Sequence, residues 1–184
     1  MEISSQEKLL IETAKILDEL KIDYFITGGF AVSVWGRPRA TFDIDIVVNM
    51  REPQAEQLAS AWKMMCNTGY ADANMAREAI RKGGEFNFID PDSGLKVDFW
   101  SKKENFGLPK EFERKKIKKI NGQKICFISP EDLILSKLEW HKISPLEKHM
   151  DDIKSVLKIS GDILDKEYLD YWIEKLELEN LPGI

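Results

Sequence analysis

The sequence predicts an α+β fold, with a short mixed β-sheet flanked by helices and a helical C-terminal third. Two patterns and one dipeptide support this. Over the first 128 residues, short apolar or alternating runs closed by Gly or Pro interleave with stretches of helical spacing. Asn121-Gly122 between two such runs is a strong hairpin signal, and beyond Ser129 the spacing is helical throughout. With 184 residues, 43% of them apolar and 32% charged, the chain can bury a substantial core without crosslinks. The expected division is an α/β core over 1–128 and a helical region over 129–184 packed on it.

The elements follow in order. Ser4 and Glu7 form a capping-box pattern, and Leu10, Ala14, Leu17 and Leu20 continue at helical spacing to about Lys21. A strand over 23–27 stops at Gly28-Gly29, and a short helix from Phe30 to Trp35 ends at Gly36 and Pro38. Residues 42–49 (FDIDIVVN) alternate as a strand, with Ile44 and Ile46 on one face and Asp43, Asp45 and Val47 on the other. Pro53 opens a helix to about Cys66, and Ala73 to Lys82 forms another. Strands at 85–89 and 95–100 flank a turn-rich linker and pair antiparallel, and 115–120 with 123–128 form the second hairpin. Ser129-Pro130-Glu131-Asp132 caps a helix over 133–142, followed by helices at about 149–159 and 165–178.

A net charge of −5 excludes a surface built throughout for nucleic acid, while leaving room for a local basic patch. Apolar runs are too short for a membrane span and MEISSQEKLL lacks a signal pattern, so a cytoplasmic protein with no membrane partner is expected. Cys66 and Cys126 stand alone in apolar company and read as reduced core residues. His141 and His149 lack neighbouring metal ligands and read as surface or partner-contact residues.

Asp is disfavoured in strands, so two on one face of an apolar strand require a reason. Asp98, between Val97 and Phe99 in another strand, supplies a third carboxylate. Clustered carboxylates repel. Hard divalent ions, Mg²⁺ above all, let all three stay ionised, and three carboxylates suit two metals. Such a pair activates an attacking hydroxyl and neutralises the pyrophosphate leaving a nucleoside triphosphate. Gly28-Gly29, ahead of a helix, offers backbone N–H groups to phosphate oxygens where side chains would obstruct.

These residues resemble the DNA polymerase β-like nucleotidyltransferase superfamily, whose signature is Gly-Gly or Gly-Ser, a spacer and Asp-x-Asp. Here it reads ITGGFAVSVWGRPRATFDIDIVV, with thirteen residues between Gly29 and Asp43. Asp98 in LKVDFW matches the family's third carboxylate. The patterns G-G-x-A, R-x-T-x-D-I-D and S-P-E-D-L-I-L-x-K-L are most similar to the bacterial minimal and AbiEii-type nucleotidyltransferases, a group that includes toxin–antitoxin components. The resemblance covers about residues 23–157 and implies the nucleotidyltransferase fold. It also implies Mg²⁺ or Mn²⁺ at Asp43, Asp45 and Asp98.

Lys137 falls three and four residues after Ile134 and Leu133, on the apolar face of its helix, and matches the family's motif lysine, which implies contact with triphosphate oxygens. Asp152 aligns with Val156 and Ile159, and matches the family's distal acid; a first-turn acid complementing the helix dipole is the other reading. Arg37 and Arg39 lie between the glycine turn and the Asp strand, near enough to meet a triphosphate, and Arg39 with Thr41 matches R-x-T. Residues 110–119 (KEFERKKIKK) form a basic run, either a solvated face or an attractor of nucleic acid. Trp100 reads as core or as a base-stacking surface.

The resulting expectation is Mg²⁺-dependent transfer of a nucleoside monophosphate from a nucleoside triphosphate to an acceptor hydroxyl. The acceptor is an RNA, a partner protein or a small hydroxylated molecule such as an antibiotic, with a slight lean to RNA from the basic run. The alternative is a non-catalytic antitoxin or interaction protein that keeps the fold. A HEPN-type RNase in the tail is excluded, since that motif needs an Arg before a His and no Arg follows Arg114.

Overall fold

The computed structural model describes residues 4–67, 69–102, 108 and 110–178. Helix α1 (Ser5–Glu19) starts at the expected capping box, in which the Ser4 hydroxyl accepts from the Glu7 N–H, and it buries Leu9, Leu10, Ala14 and Leu17. Strand β1 (Asp23–Ile26), helix α2 (Gly28–Trp35) and strand β2 (Asp43–Asn49) follow, with α2 beginning at the glycine pair itself. Helices α3 (Glu52–Met65) and α4 (Ala73–Lys82) lead to the hairpin β3 (Gly84–Asp90) and β4 (Leu95–Ser101). Next come α5 (Glu111–Arg114) and the hairpin β5 (Lys116–Ile120) and β6 (Gln123–Phe127). The chain closes with α6 (Pro130–Ile143), α7 (Glu147–Ser160), a 3₁₀ turn at Gly161–Ile163 and α8 (Lys166–Lys175).

The six strands form one mixed sheet in the order β3-β4-β2-β1-β6-β5. β1 and β2 pair antiparallel at its centre, with β4 parallel to β2 and β6 parallel to β1. Each outer strand is the other arm of a hairpin, so short-range turns supply the edges. In the second hairpin Asn121 (φ 46°) and Gly122 (φ 86°) both lie in the left-handed region, which a two-residue turn matched to strand twist requires.

One face of β2 and β4 is apolar. Ile44, Ile46, Val48, Val97 and Phe99 are buried there. Phe86 stacks on Phe99 with centroids 5.0 Å apart, and Trp62 of α3 meets Phe88 at 5.4 Å. Strand alternation then turns Asp43, Asp45 and Asp98 to the opposite face.

Helix α5 departs from the sequence reading, which took 110–119 as one basic run, either a solvated face or an attractor of nucleic acid. Glu111 within it is buried and paired with Lys102. Arg114 turns inward to Glu131 (3.1 Å) and Asp132 (3.5 Å), and its guanidinium lies 3.7 Å from the centre of the Tyr168 ring. Tyr168 in turn donates its hydroxyl proton to Asp132 at 2.7 Å. The pattern of charges concealed this, because the partners come from α6 and α8.

Cys66 and Cys126 are unpaired, half-buried thiols packed against the core. No helix among the described residues is long and apolar enough to cross a membrane.

Candidate active site

β4 runs parallel beside β2 in a register that sets Asp45 opposite Asp98 and Asp43 opposite Lys96. The three carboxylates expected from the sequence therefore share one face of two neighbouring strands. Lys96 belongs with them, since in LKVDFW the period of two places Lys96, Asp98 and Trp100 together. The alternation of the sequence carries this signal for Lys96 as it does for the acids.

Asp98 is 5% exposed; its Oδ2 accepts Lys96 Nζ at 2.8 Å, while Oδ1 is fully buried with no hydrogen-bond partner. Lys96 Nζ also lies 3.8 Å from Asp43 Oδ1. Burial raises the pKa of Asp45, and the charges of Asp98 and Asp43 raise it further against the opposing Lys137. Glu85 of β3 is a fourth nearby carboxylate, raised by burial and then by Asp98. Negative charge is thus concentrated beyond what the local ammonium groups compensate.

Gly28 presses the start of α2 onto this cluster. Its φ is +62°, and a Cβ there would stand 1.9 Å from Asp45 Oδ2, so both backbone and space require glycine. A Cβ on Gly29 would meet Thr41 Oγ1 at 2.5 Å and Arg39 Nη1 at 3.3 Å. The Thr27 N–H donates to the Asp45 carbonyl at 2.9 Å, while its side chain leaves the helix N-terminus uncapped. The first N–H groups of α2 therefore face the neighbourhood of the carboxylates with the polarity that favours an anion.

Beside the carboxylates stands a cationic group built from three distant segments. Arg39 donates through Nε and Nη2 to both oxygens of Asp152, at 2.7 and 2.9 Å, and Lys137 Nζ reaches Asp152 Oδ2 at 2.9 Å. Asp152 is buried, which alone would raise its pKa, but its bonds to Arg39 and Lys137 prevail and hold it below the ordinary carboxylate range. α7 starts at Glu147, so Asp152 lies beyond the first turn and the dipole reading does not apply.

Thr41 Oγ1 donates to the Asp43 carbonyl at 3.3 Å, fixing the entry to β2. Arg37 is not drawn in: its N–H donates to Ser155 Oγ at 2.5 Å, while its exposed side chain has no partner among the described residues.

His141 departs from the reading of a surface or partner-contact residue. His141 is buried, its ring edge-on to His149 with centroids 6.4 Å apart and its Nδ1 3.1 Å from the Leu146 carbonyl. His149 keeps a buried, unpartnered Nδ1, and its pKa is pushed down by burial and then by the charge of Lys137. The turn between α6 and α7 folds the two together, which linear spacing cannot show.

In donor type, Asp43, Asp45 and the orphaned Asp98 Oδ1 fit a hard divalent cation. No three His, Cys, Asp or Glu side chains among the described residues stand converged on one ion as placed, and Lys96 lies against two of the three carboxylates. Of the basic run, Lys115 pairs with Asp23, and Lys118, though exposed, stands over the Trp35 ring at 4.3 Å. Lys110, Lys116 and Lys119 are exposed as well.

No family model and no curated protein sequence matches the chain. Solved structures do. ANT(2'')-Ia in complex with adenylyl-2''-tobramycin is similar with a TM-score of 0.61 at 16% identity, over 91% of this chain and 94% of that one. The lincosamide antibiotic adenylyltransferase LnuA, with lincomycin bound, gives 0.57 at 15% identity, over 86% and 99%. An antigenic nucleotidyltransferase-like protein from Paracoccidioides brasiliensis gives 0.56 at 21% identity, over 85% and 77%. At these identities the likeness is one of fold, and the chain has the nucleotidyltransferase fold.

Proposed function

We propose that this protein is a divalent-metal-dependent nucleotidyltransferase that moves a nucleoside monophosphate from a nucleoside triphosphate to a hydroxyl of a small acceptor. One observation carries the reading: Asp45 and Asp98 face each other in register, with the backbone of Gly28 packed so closely on Asp45 that no side chain fits between. A turn this tight against a carboxylate is costly as mere scaffolding, and brings phosphate-binding N–H groups beside metal-binding oxygens.

In this reading Asp43, Asp45 and Asp98 hold Mg²⁺ or Mn²⁺, as one ion or two, which when bound supplies Lewis-acid stabilisation of the charge that develops on transfer. The N–H groups at Gly28-Gly29 orient the triphosphate. Lys137 offers its ammonium to phosphate oxygens, with Asp152 holding it and Arg39 in place as a positioning residue. Asp98 accepts the proton of the acceptor hydroxyl. The acceptor oxygen bonds to the α-phosphorus, the bond to the bridging oxygen breaks, and pyrophosphate leaves with the electron pair.

Two points support a small acceptor over RNA. Arg114 and Lys115 have internal partners and Lys118 lies over the Trp35 ring, which leaves Lys110, Lys116 and Lys119 as the bases of the run without a partner among the described residues. The fold is shared with a protein solved in complex with adenylyl-2''-tobramycin and with a lincosamide antibiotic adenylyltransferase. The AbiEii-type motif spacing supports membership of the bacterial minimal subgroup, including its toxin–antitoxin members, and rests on sequence motifs alone.

The test is incubation with each nucleoside triphosphate labelled at the α-phosphate, Mg²⁺, and a panel of aminoglycosides, lincosamides and RNA. Label should move to a small hydroxylated acceptor and vanish with Asp43→Asn plus Asp45→Asn. Absence of nucleotide binding under every condition would instead support a non-catalytic interaction protein.

A further inference from the structure

Lys96 has no part in the chemistry above, yet it is the group most intimately placed among the carboxylates. Its ammonium lies 2.8 Å from Asp98 Oδ2 and 3.8 Å from Asp43 Oδ1, joining one acid from each of the parallel neighbours β2 and β4. Lysine is depleted in strands, and a structural counter-ion for a buried acid should satisfy it. Lys96 does not: Asp98 Oδ1 remains buried and without a partner. The side chain of Lys96 is 35% exposed, so it is free to move outward. Glu85 gives it somewhere to go, since that residue of the adjoining strand sits opposite Trp100, on the face shared with Lys96 and Asp98.

We propose that Lys96 is a tethered cation that bridges Asp43 and Asp98 in the metal-free protein and must swing aside when a divalent cation takes those oxygens. It thereby sets the threshold of metal binding, compensating the carboxylates only in part until the metal arrives. This rests on the metal-binding reading of the site. The consequence is competition: one charge-assisted hydrogen bond has to be broken for each metal bound at Asp98, so removing the ammonium strengthens metal binding by about tenfold.

The experiment titrates Mn²⁺ alone, without nucleotide, into wild type and Lys96→Met, reading free Mn²⁺ by electron paramagnetic resonance, with melting curves in chelator and in saturating Mn²⁺. Lys96→Met should bind Mn²⁺ about tenfold more tightly. It should melt below wild type in chelator and recover in Mn²⁺, because the metal replaces the missing charge; Lys96→Gln should give the same ordering. Unchanged or weaker Mn²⁺ binding by the variants, or a melting deficit equally large with and without metal, overturns the proposal and leaves Lys96 a structural partner. If neither wild type nor variants bind Mn²⁺, the metal reading fails and this proposal fails with it; if wild type binds and the variants bind no better, this proposal alone fails.

Discussion

Arg39 grips both carboxylate oxygens of Asp152, a residue 113 positions further along the chain. The geometry is the bidentate fork of guanidinium on carboxylate, and Lys137 adds a third bond to the same acid. Asp152 is 3% exposed, so the pair is shielded from water and salt on one side.

Asp152→Ala should destabilise the protein by about 3 kcal/mol, at the lower end for a broken buried pair because Arg39 and Lys137 retain some access to water. Urea denaturation checks this. The folded-state pKa of Asp152 lies below its unfolded value, so its contribution is present above the unfolded pKa and is lost as pH falls through the folded one. Wild type should therefore lose stability on acidification more steeply than Asp152→Asn; parallel pH profiles would show that the ion pair contributes nothing.

Asp45 has the opposite sign. Its folded-state pKa is raised, so it favours the fold below its unfolded pKa and loses that contribution as pH rises through the folded value. Asp43→Asn with Asp45→Asn should therefore abolish nucleotidyl transfer while the melting temperature in chelator at neutral pH holds or rises. A fall in melting temperature there would mark the two acids as structural.

Gly28→Ala should cost about 1–2 kcal/mol from the left-handed backbone alone, and more from collision with the Asp45 carboxylate. Nucleotide affinity should fall further than stability does, measured by titration well below the melting temperature. Gly122→Ala has the same kind of φ but open space around it, and should leave nucleotide affinity untouched.

A nucleoside triphosphate should raise the melting temperature only when Mg²⁺ or Mn²⁺ is present, with about 2.7 kcal/mol of stabilisation at 100 times its dissociation constant. Equal stabilisation in chelator would remove the metal from nucleotide binding.

Lys116→Gln with Lys119→Gln should leave transfer to a small acceptor unchanged, since both side chains are exposed on the β5 edge, away from Asp98. Should RNA be the acceptor, the same pair would weaken its binding and flatten the salt dependence.

Local signals in the sequence determined most element boundaries. The capping box at Ser4, the Asn121-Gly122 turn and the Ser129 cap each depend on neighbours within a few residues, and each stands where expected. The facing of Asp43 and Asp45 followed from strand alternation alone. What escaped were pairings between distant segments: the parallel register of β2 with β4, Arg114 among α6 and α8, and the meeting of His141 with His149. Arg39, Lys137 and Asp152 were each singled out separately, but their mutual bonding was not, because no local rule connects residues on a loop and two helices.

The reach from Arg39 to Asp152 also bears on how the protein matures on the ribosome. Synthesis delivers the N-terminal segments first, so Asp43, Asp45 and the glycine turn emerge well before α7. Until Asp152 docks, Arg39 and Lys137 lack the acid that positions them. A nascent chain thus carries Asp43 and Asp45 before the contacts of Arg39 and Lys137 with Asp152 can form.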